Sequence, residues 1–160
     1  RYSQLDFITL EEEIDFIRDY FEVQRIRFDE PFSYTIEAAE ELEIDEILLP
    51  PMFTQPFVEN AVEHGIFFKG SAGKINLRFS IQGDQLQILL EDNGKGIEET
   101  IKHYRPNHQS LALKITRERL RVLEKKLKQK TELYIQDRST INQVLVGTQV
   151  CLKLPLVFKS

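Results

Sequence analysis

Apolar and polar residues repeat with two different periods along this chain, and the changes of period mark its elements. From Leu10 the apolar positions recur at helical spacing, through Ile14, Ile17 and Phe21, with Tyr20 and Phe28 alongside. Thr9 and Glu12, three residues apart, form a capping box ahead of them. The pattern predicts a helix over about 10–27 that buries one stripe. Phe32, Tyr34, Ile36 and Ala38 alternate with polar residues and predict a strand over 32–38. Residues 39–49 are acidic and then apolar, and Pro50-Pro51 stop regular structure. A short helix should follow, capped by Thr54 or Gln55, with Pro56 in its first turn and Gly65 at its end.

After Gly70-Ser71-Ala72-Gly73 the period becomes two. Ile75, Leu77, Phe79 and Ile81 point one way, and Lys74, Asn76, Arg78 and Ser80 the other. Gln82-Gly83-Asp84 is a hairpin turn, and Leu86, Ile88 and Leu90 continue the apolar face on the next strand. Residues 98–109 have no clear period and contain Pro106, His103 and His108, which predicts a mobile loop. Ser110 is expected to cap a helix of about 112–128. Leu113, Thr116, Leu120, Leu123 and Leu127 would lie along one side of it, with Arg117, Arg119, Arg121 and a lysine-rich end on the rest. Two further strands are read at 131–136 and 149–157. Helices interspersed with hairpin-linked strands imply an α/β (α+β) two-layer sandwich. One mixed, mainly antiparallel sheet would be covered on one face by about three helices.

Composition narrows the partners. At 160 residues, 41% hydrophobic and 29% charged, the chain has the make-up of a globular domain with a substantial core. Its net charge of −5 argues against a nonspecific nucleic-acid binder. Cys151 is the only cysteine, so no disulfide framework or zinc spacing exists, and a reducing, cytoplasmic setting fits. No apolar run is long enough to span a membrane. The start at Arg1, without Met, suggests a piece of a longer protein, with 9–160 as its domain.

Chemistry concentrates in two stretches. On the central helix Phe57, Val58, Ala61 and Val62 form an apolar side, and Glu59, Asn60, Glu63 and His64 sit beside it, Asn60 and His64 being i,i+4 neighbours. Such polar groups either lie in water at a helix edge or serve a site, presenting Asn60 to a hard cation and Glu59 to a proton. The second stretch, Asp92-Asn93-Gly94-Lys95-Gly96, follows a buried strand. It reads as a hairpin turn or as a ligand loop, its glycines allowing positive φ and close backbone approach. An Asp there can accept a hydrogen bond from an exocyclic amine such as adenine's. The long irregular segment that follows favours the ligand loop. A helix start near Ser110 would offer N–H groups to phosphate. Gly147-Thr148 precedes the last strand, where the hydroxyl could reach a pocket floor. His103 and His108 read as solvated, and Glu11, Glu12 and Glu13 as charges at a helix start.

Together these stretches resemble the ATP-binding domain of sensor histidine kinases, in the superfamily shared with DNA gyrase, Hsp90 and MutL, and in particular the LytS-type kinases. Pro50-Pro51 through Phe57-Val58-Glu59-Asn60-Ala61-Val62-Glu63-His64-Gly65 resembles their N box, and Asp92-Asn93-Gly94-Lys95-Gly96-Ile97 their first glycine box. Arg117-Glu118-Arg119-Leu120 sits where the family passes from lid to helix, and Gly147-Thr148 with Leu154-Pro155-Leu156 resembles its closing strand. The resemblance implies ATP and Mg²⁺ as cofactors. Asn60 would be the metal-linked ligand and Glu59 the base or polariser of phosphoryl transfer. Asp92 would read the adenine amine with Thr148 in support. Further nucleotide contacts would come from His64, Gly94, Gly96, Ile97, Ser110, Leu111, Ala112 and Leu113. It implies as partners an upstream dimerisation and phosphoacceptor domain, of which residues 1–8 would be the stump, and a response regulator. The parent would be a homodimeric, membrane-anchored protein with this part in the cytoplasm. Two departures stand out: Ala112 replaces a glycine of the second glycine box, and Glu63 stands where relatives carry a cation, for which Arg105 is a candidate substitute. None of His64, His103 and His108 matches the phosphoacceptor motif, so this chain alone is not expected to autophosphorylate. A catalytically decayed nucleotide-sensing module is the alternative, and a gyrase-like or Hsp90-like clamp a third reading.

Overall fold

The computed structural model describes residues 6–29, 31–66, 69–96 and 106–160. Its centre is a five-stranded sheet made of β2 (Ser33–Ala38), β4 (Lys74–Gln82), β5 (Gln85–Asp92), β6 (Glu132–Asp137) and β7 (Thr148–Pro155). The strand order is β2-β4-β5-β7-β6. Only β2 and β4 are parallel, so the sheet is mixed and mainly antiparallel, as the alternation predicts. A turn of two residues, Gly83 and Asp84, joins β4 to β5, and Gly83 takes φ 63°.

The period of two fixes which face is covered. Ile75, Leu77 and Phe79 on β4, Leu86, Ile88 and Leu90 on β5, and Val150, Leu152 and Leu154 on β7 are all buried on the same side. Helix α1 (Leu10–Arg25), helix α2 (Gln55–Asn60) and helix α3 (Pro106–Leu127) supply the opposing layer through Ile14, Ile17, Phe21, Phe57, Val58, Leu120 and Leu123. Thr9 caps α1 as expected: Glu12 N–H donates to Thr9 Oγ1 at 3.1 Å, and Thr9 N–H donates back to Glu12 Oε1 at 3.0 Å.

The structure departs from the sequence reading in four places. A second sheet is present, with order β1-β3-β8, from β1 (Ile8–Thr9), β3 (Ile47–Leu49) and β8 (Val157–Phe158). Two or three residues per strand are too few to display a period. The central helix does not end at Gly65; after Asn60 it widens into a π-helical segment, Ala61–Ile66, that carries Gly65 within it. Ser110 is not a cap, because α3 begins at Pro106, where a proline's fixed φ and missing N–H suit a first turn. That opening turn is polar, which hid its helical character from any count of apolar spacing. Glu13 lies in the first turn of α1, as a helix-start charge should, but it is buried there. The predicted loop is therefore helical from residue 106, and its stretch 98–105, with His103 and Arg105, lies outside the described residues, as does Ile97.

Candidate functional site

Asp92 continues the series Leu86, Ile88, Leu90 by one more step of two, so its carboxylate points to the helix-covered face rather than to water. It is 5% exposed. Gly94 N–H donates to Asp92 Oδ1 at 2.8 Å, and Thr148 N–H donates to the same carboxylate. Burial nevertheless pushes its pKa up to about 6. The two backbone bonds and, at longer range, Arg138 and Lys69 pull the other way without prevailing. Such a carboxylate is a strong acceptor for a ligand N–H.

The backbone around Asp92 is fitted closely. Gly147 has φ 107°, and a Cβ there would overlap the Asp92 carbonyl oxygen, so only glycine allows the end of β5 and the start of β7 to approach as they do. Gly96 has φ 84° and faces the Asp137 carboxylate. Asn93, passed over as part of a turn, is an anchor. Its Oδ1 accepts from Lys74 N–H at 2.7 Å, and its Nδ2 donates to the Ala72 carbonyl at 2.9 Å. Arg138, which no motif marks, ties the 138–147 segment to the site. Its Nη1 donates to the carbonyls of Asp92 (3.2 Å) and Val146 (3.0 Å), and its Nε lies 3.7 Å from Glu91 Oε2.

The other end of the site is α2. Phe57 and Val58 are buried, while Glu59 is exposed and Asn60 partly so. Gln55, itself buried, donates from Nε2 to Glu59 Oε1 at 3.1 Å and so fixes that carboxylate one turn away. The π-helical segment beyond Asn60 packs against β5, the strand that ends in Asp92. Segments of this kind often mark functional positions. Glu63 forms an ion pair with Arg27 at 3.9 Å, so a cation does stand near it, contributed by the turn that follows α1.

The start of α2 is held from two sides. Glu13 on α1 accepts from Thr54 Oγ1 at 3.1 Å and from the N–H groups of Met52 and Thr54, and burial raises its pKa. Arg119 on α3 donates from Nη2 to the Pro51 carbonyl at 2.8 Å and lies over the Phe53 ring, 4.3 Å from its centre. Thr54 is the N-cap residue of α2, yet its side chain makes no capping bond because it is turned to Glu13. Of the second glycine box, Leu111 is exposed and Ala112 and Leu113 are partly buried on α3. With the helix starting at Pro106, the N–H groups lacking an intrahelical acceptor belong to the turn before Ser110.

These features define a class first: an α/β sandwich with a buried acceptor at the end of a central strand and a short helix that carries an acid and an amide. The family follows from comparison. Residues 52–157 match the family described as histidine kinase-, DNA gyrase B- and HSP90-like ATPases, and the chain belongs to it. Sensor protein LytS of Oceanobacillus iheyensis is 29% identical over 158 residues, covering 92% of this chain and 26% of that protein. An uncharacterized sensor-like histidine kinase of Staphylococcus epidermidis is 31% identical over 155 residues, covering 94% and 28%. The chain thus spans about a quarter of the length of these relatives. The catalytic domain of histidine kinase ThkA shares the fold, with a TM-score of 0.61 at 18% identity over 94% of this chain and 95% of that one. Full-length ShkA, solved in complex with AMPPNP, gives a TM-score of 0.64 at 14% identity, covering 98% and 32%. The expected kinship to LytS-type sensor kinases is borne out, and the decayed module is not favoured by these matches.

Proposed function

We propose that this chain is the ATP-binding, catalytic portion of a sensor histidine kinase, which passes the γ-phosphoryl group of ATP to a histidine on an upstream domain of the same protein. The observation that carries this reading is the buried carboxylate of Asp92, held by two backbone N–H groups at the closely packed junction of β5 and β7. It retains acceptor capacity for the adenine amine. Thr148 supports it, and Gly94 and Gly96 keep the adjoining backbone free of side chains.

The donor set on α2 fits a magnesium ion. Asn60 offers an amide oxygen, a hard ligand of the kind Mg²⁺ accepts, and Mg²⁺ commonly uses one or two protein oxygens together with phosphate oxygens. Among the described residues no cluster of three acidic, histidine or cysteine side chains forms a separate cage. Asn60 would hold the ion, whose contribution when bound is to neutralise charge on the phosphates. Glu59, oriented by Gln55, receives the proton of the phosphoacceptor imidazole. His64, Ile97 and the 110–113 stretch complete the nucleotide's surroundings in this reading. The remaining partners are a second copy of the parent, through its dimerisation domain, and a response regulator. The kinase part lies in the cytoplasm beside a membrane anchor elsewhere in the parent. Among the described residues no helix is long and apolar enough to cross a membrane.

Two titrations test the reading. Mg²⁺-ATP should bind the parent chain and should bind Asn60→Asp with altered affinity; an unchanged affinity would remove Asn60 from the site. GTP carries a carbonyl where ATP carries the amine and leaves Asp92 unpaired. Its affinity should fall by about 2 kcal/mol or more. Equal affinities for ATP and GTP would refute Asp92 as the adenine reader.

A further inference from the structure

The proposed mechanism uses Glu59 and Asn60 but does not explain what holds their helix in place. Helix α2 is only six residues long, Gln55–Asn60, too short to fix its own direction by backbone bonding. Its N-cap side chain contributes nothing to it, because Thr54 Oγ1 donates to Glu13 instead. The turn leading into it, residues 50–54, contains Met52 at φ 69°, a left-handed conformation that a non-glycine residue keeps only when its surroundings impose it.

Those surroundings are two charged side chains from different helices. Glu13 of α1 is 2% exposed and gathers three donors of the turn: Met52 N–H, Thr54 N–H and Thr54 Oγ1. Arg119 of α3 approaches the same turn from another direction, bonding the Pro51 carbonyl and covering the Phe53 ring, whose side chain is fully buried. A buried carboxylate is costly unless well partnered, and Glu13 finds its partners in this turn, while the half-buried Arg119 spends its donor and its stem on the same turn. We propose that Glu13 and Arg119 are positioning residues for the metal-binding end of the site. They clamp the 50–54 turn and thereby set the direction in which α2 presents Glu59 and Asn60. Neither touches nucleotide. The inference rests on the proposed function, because it gives these residues a role toward the Mg²⁺ end of that site and none toward Asp92, which is fixed by the sheet. It also makes the turn a mechanical link: displacement of α1, or of α3, shifts the proposed magnesium ligand.

Calorimetric titration of the 160-residue chain with ATP, once with Mg²⁺ and once with EDTA, separates the two ends. Thr54→Val exchanges the hydroxyl for a methyl group at nearly constant shape and loses no capping bond. Arg119→Met keeps the apolar stem over Phe53 and removes the donor. Both variants should lose about tenfold or more of the Mg²⁺-dependent gain in affinity, while binding in EDTA stays within about twofold of the parent. Thr54→Ser, which keeps the hydroxyl, should restore the gain. Folded variants that retain the full Mg²⁺ gain, or that lose affinity equally in both conditions, would overturn the proposal, since an equal loss is what mere loosening of the fold produces. Should Arg119→Met fail to fold, Thr54→Val decides alone. A parent chain with no Mg²⁺-dependent ATP binding would overturn the proposed function itself, and this proposal with it, before any variant is compared.

Discussion

Asp92 gives the domain a pH dependence whose sign runs against that of ordinary paired carboxylates. Its pKa rises from 3.8 to about 6 on folding because burial outweighs the bonds from Gly94 and Thr148. The native state therefore holds a proton that the unfolded state has released between those two pH values. By linkage, stability contributed by this group is fully present below about pH 4 and is lost as pH rises through about 6. The difference corresponds to about 3 kcal/mol, a large part of a small domain's stability. Asp92→Asn has nearly the same shape and cannot ionise. Urea denaturation followed by far-UV circular dichroism at several pH values from about 4 to 7.5 should show the variant gaining on the parent by up to about 3 kcal/mol across that range. Other titrating groups are common to both proteins and cancel. A difference that stays flat, or that moves against the variant as pH rises, would refute the claim that desolvation dominates at Asp92. By the same linkage the proposed nucleotide contact is pH-sensitive: a ligand amine favours the ionised acceptor, so affinity should weaken as pH falls through about 6, and only with Asp92 present.

Two further substitutions probe the frame. Gly147→Ala would place a methyl group on the Asp92 carbonyl oxygen at φ 107°, and should cost about 3 kcal/mol or more in unfolding free energy; a loss below about 1 kcal/mol would show that the strand ends separate easily. Thr9→Ala removes the capping box of α1 and should lower stability by about 1 kcal/mol in the same urea titrations, with no effect on ATP affinity.

The phase of the β5 alternation is legible in the sequence, and it carries to the last residue of the strand. Leu86, Ile88 and Leu90 face inward, so Asp92 must too, and its burial follows from counting by two. The capping box of α1 and the buried stripe Thr116, Leu120 and Leu123 of α3 were legible for the same reason: each pattern lies within a few residues of sequence. What escaped the reading is nonlocal. Glu13 meets Thr54 across 41 residues, and Arg138 meets Asp92 across 46. A glutamate in a helix's first turn looks solvated until the partner that encloses it is known. The π-helical widening after Asn60 also has no period of its own, since Ala61–Ile66 is only six residues long.

The two ends of the site are held by different kinds of force, and this bears on which end can respond to change. Asp92 sits on a strand paired on both sides, to β4 through Ile75 and its successors and to β7 from Gln149 onward. Moving it means breaking a cooperative ladder whose apolar face is already buried, so the proposed adenine end should be stiff. Glu59 and Asn60 sit on a six-residue helix that enters through a strained turn and leaves through a widened one. Its direction depends on one carboxylate, one guanidinium and the packing of Phe53, Phe57 and Val58. A small reorientation there requires no strand to part. It requires only that α1 or α3 move relative to the sheet by enough to lengthen a few charge-assisted bonds, whose strength falls steeply with geometry. A domain built this way can keep its proposed base-reading end intact while its proposed phosphate end is brought into or out of line, and α1 and α3, which hold the 50–54 turn, are the elements placed to do it.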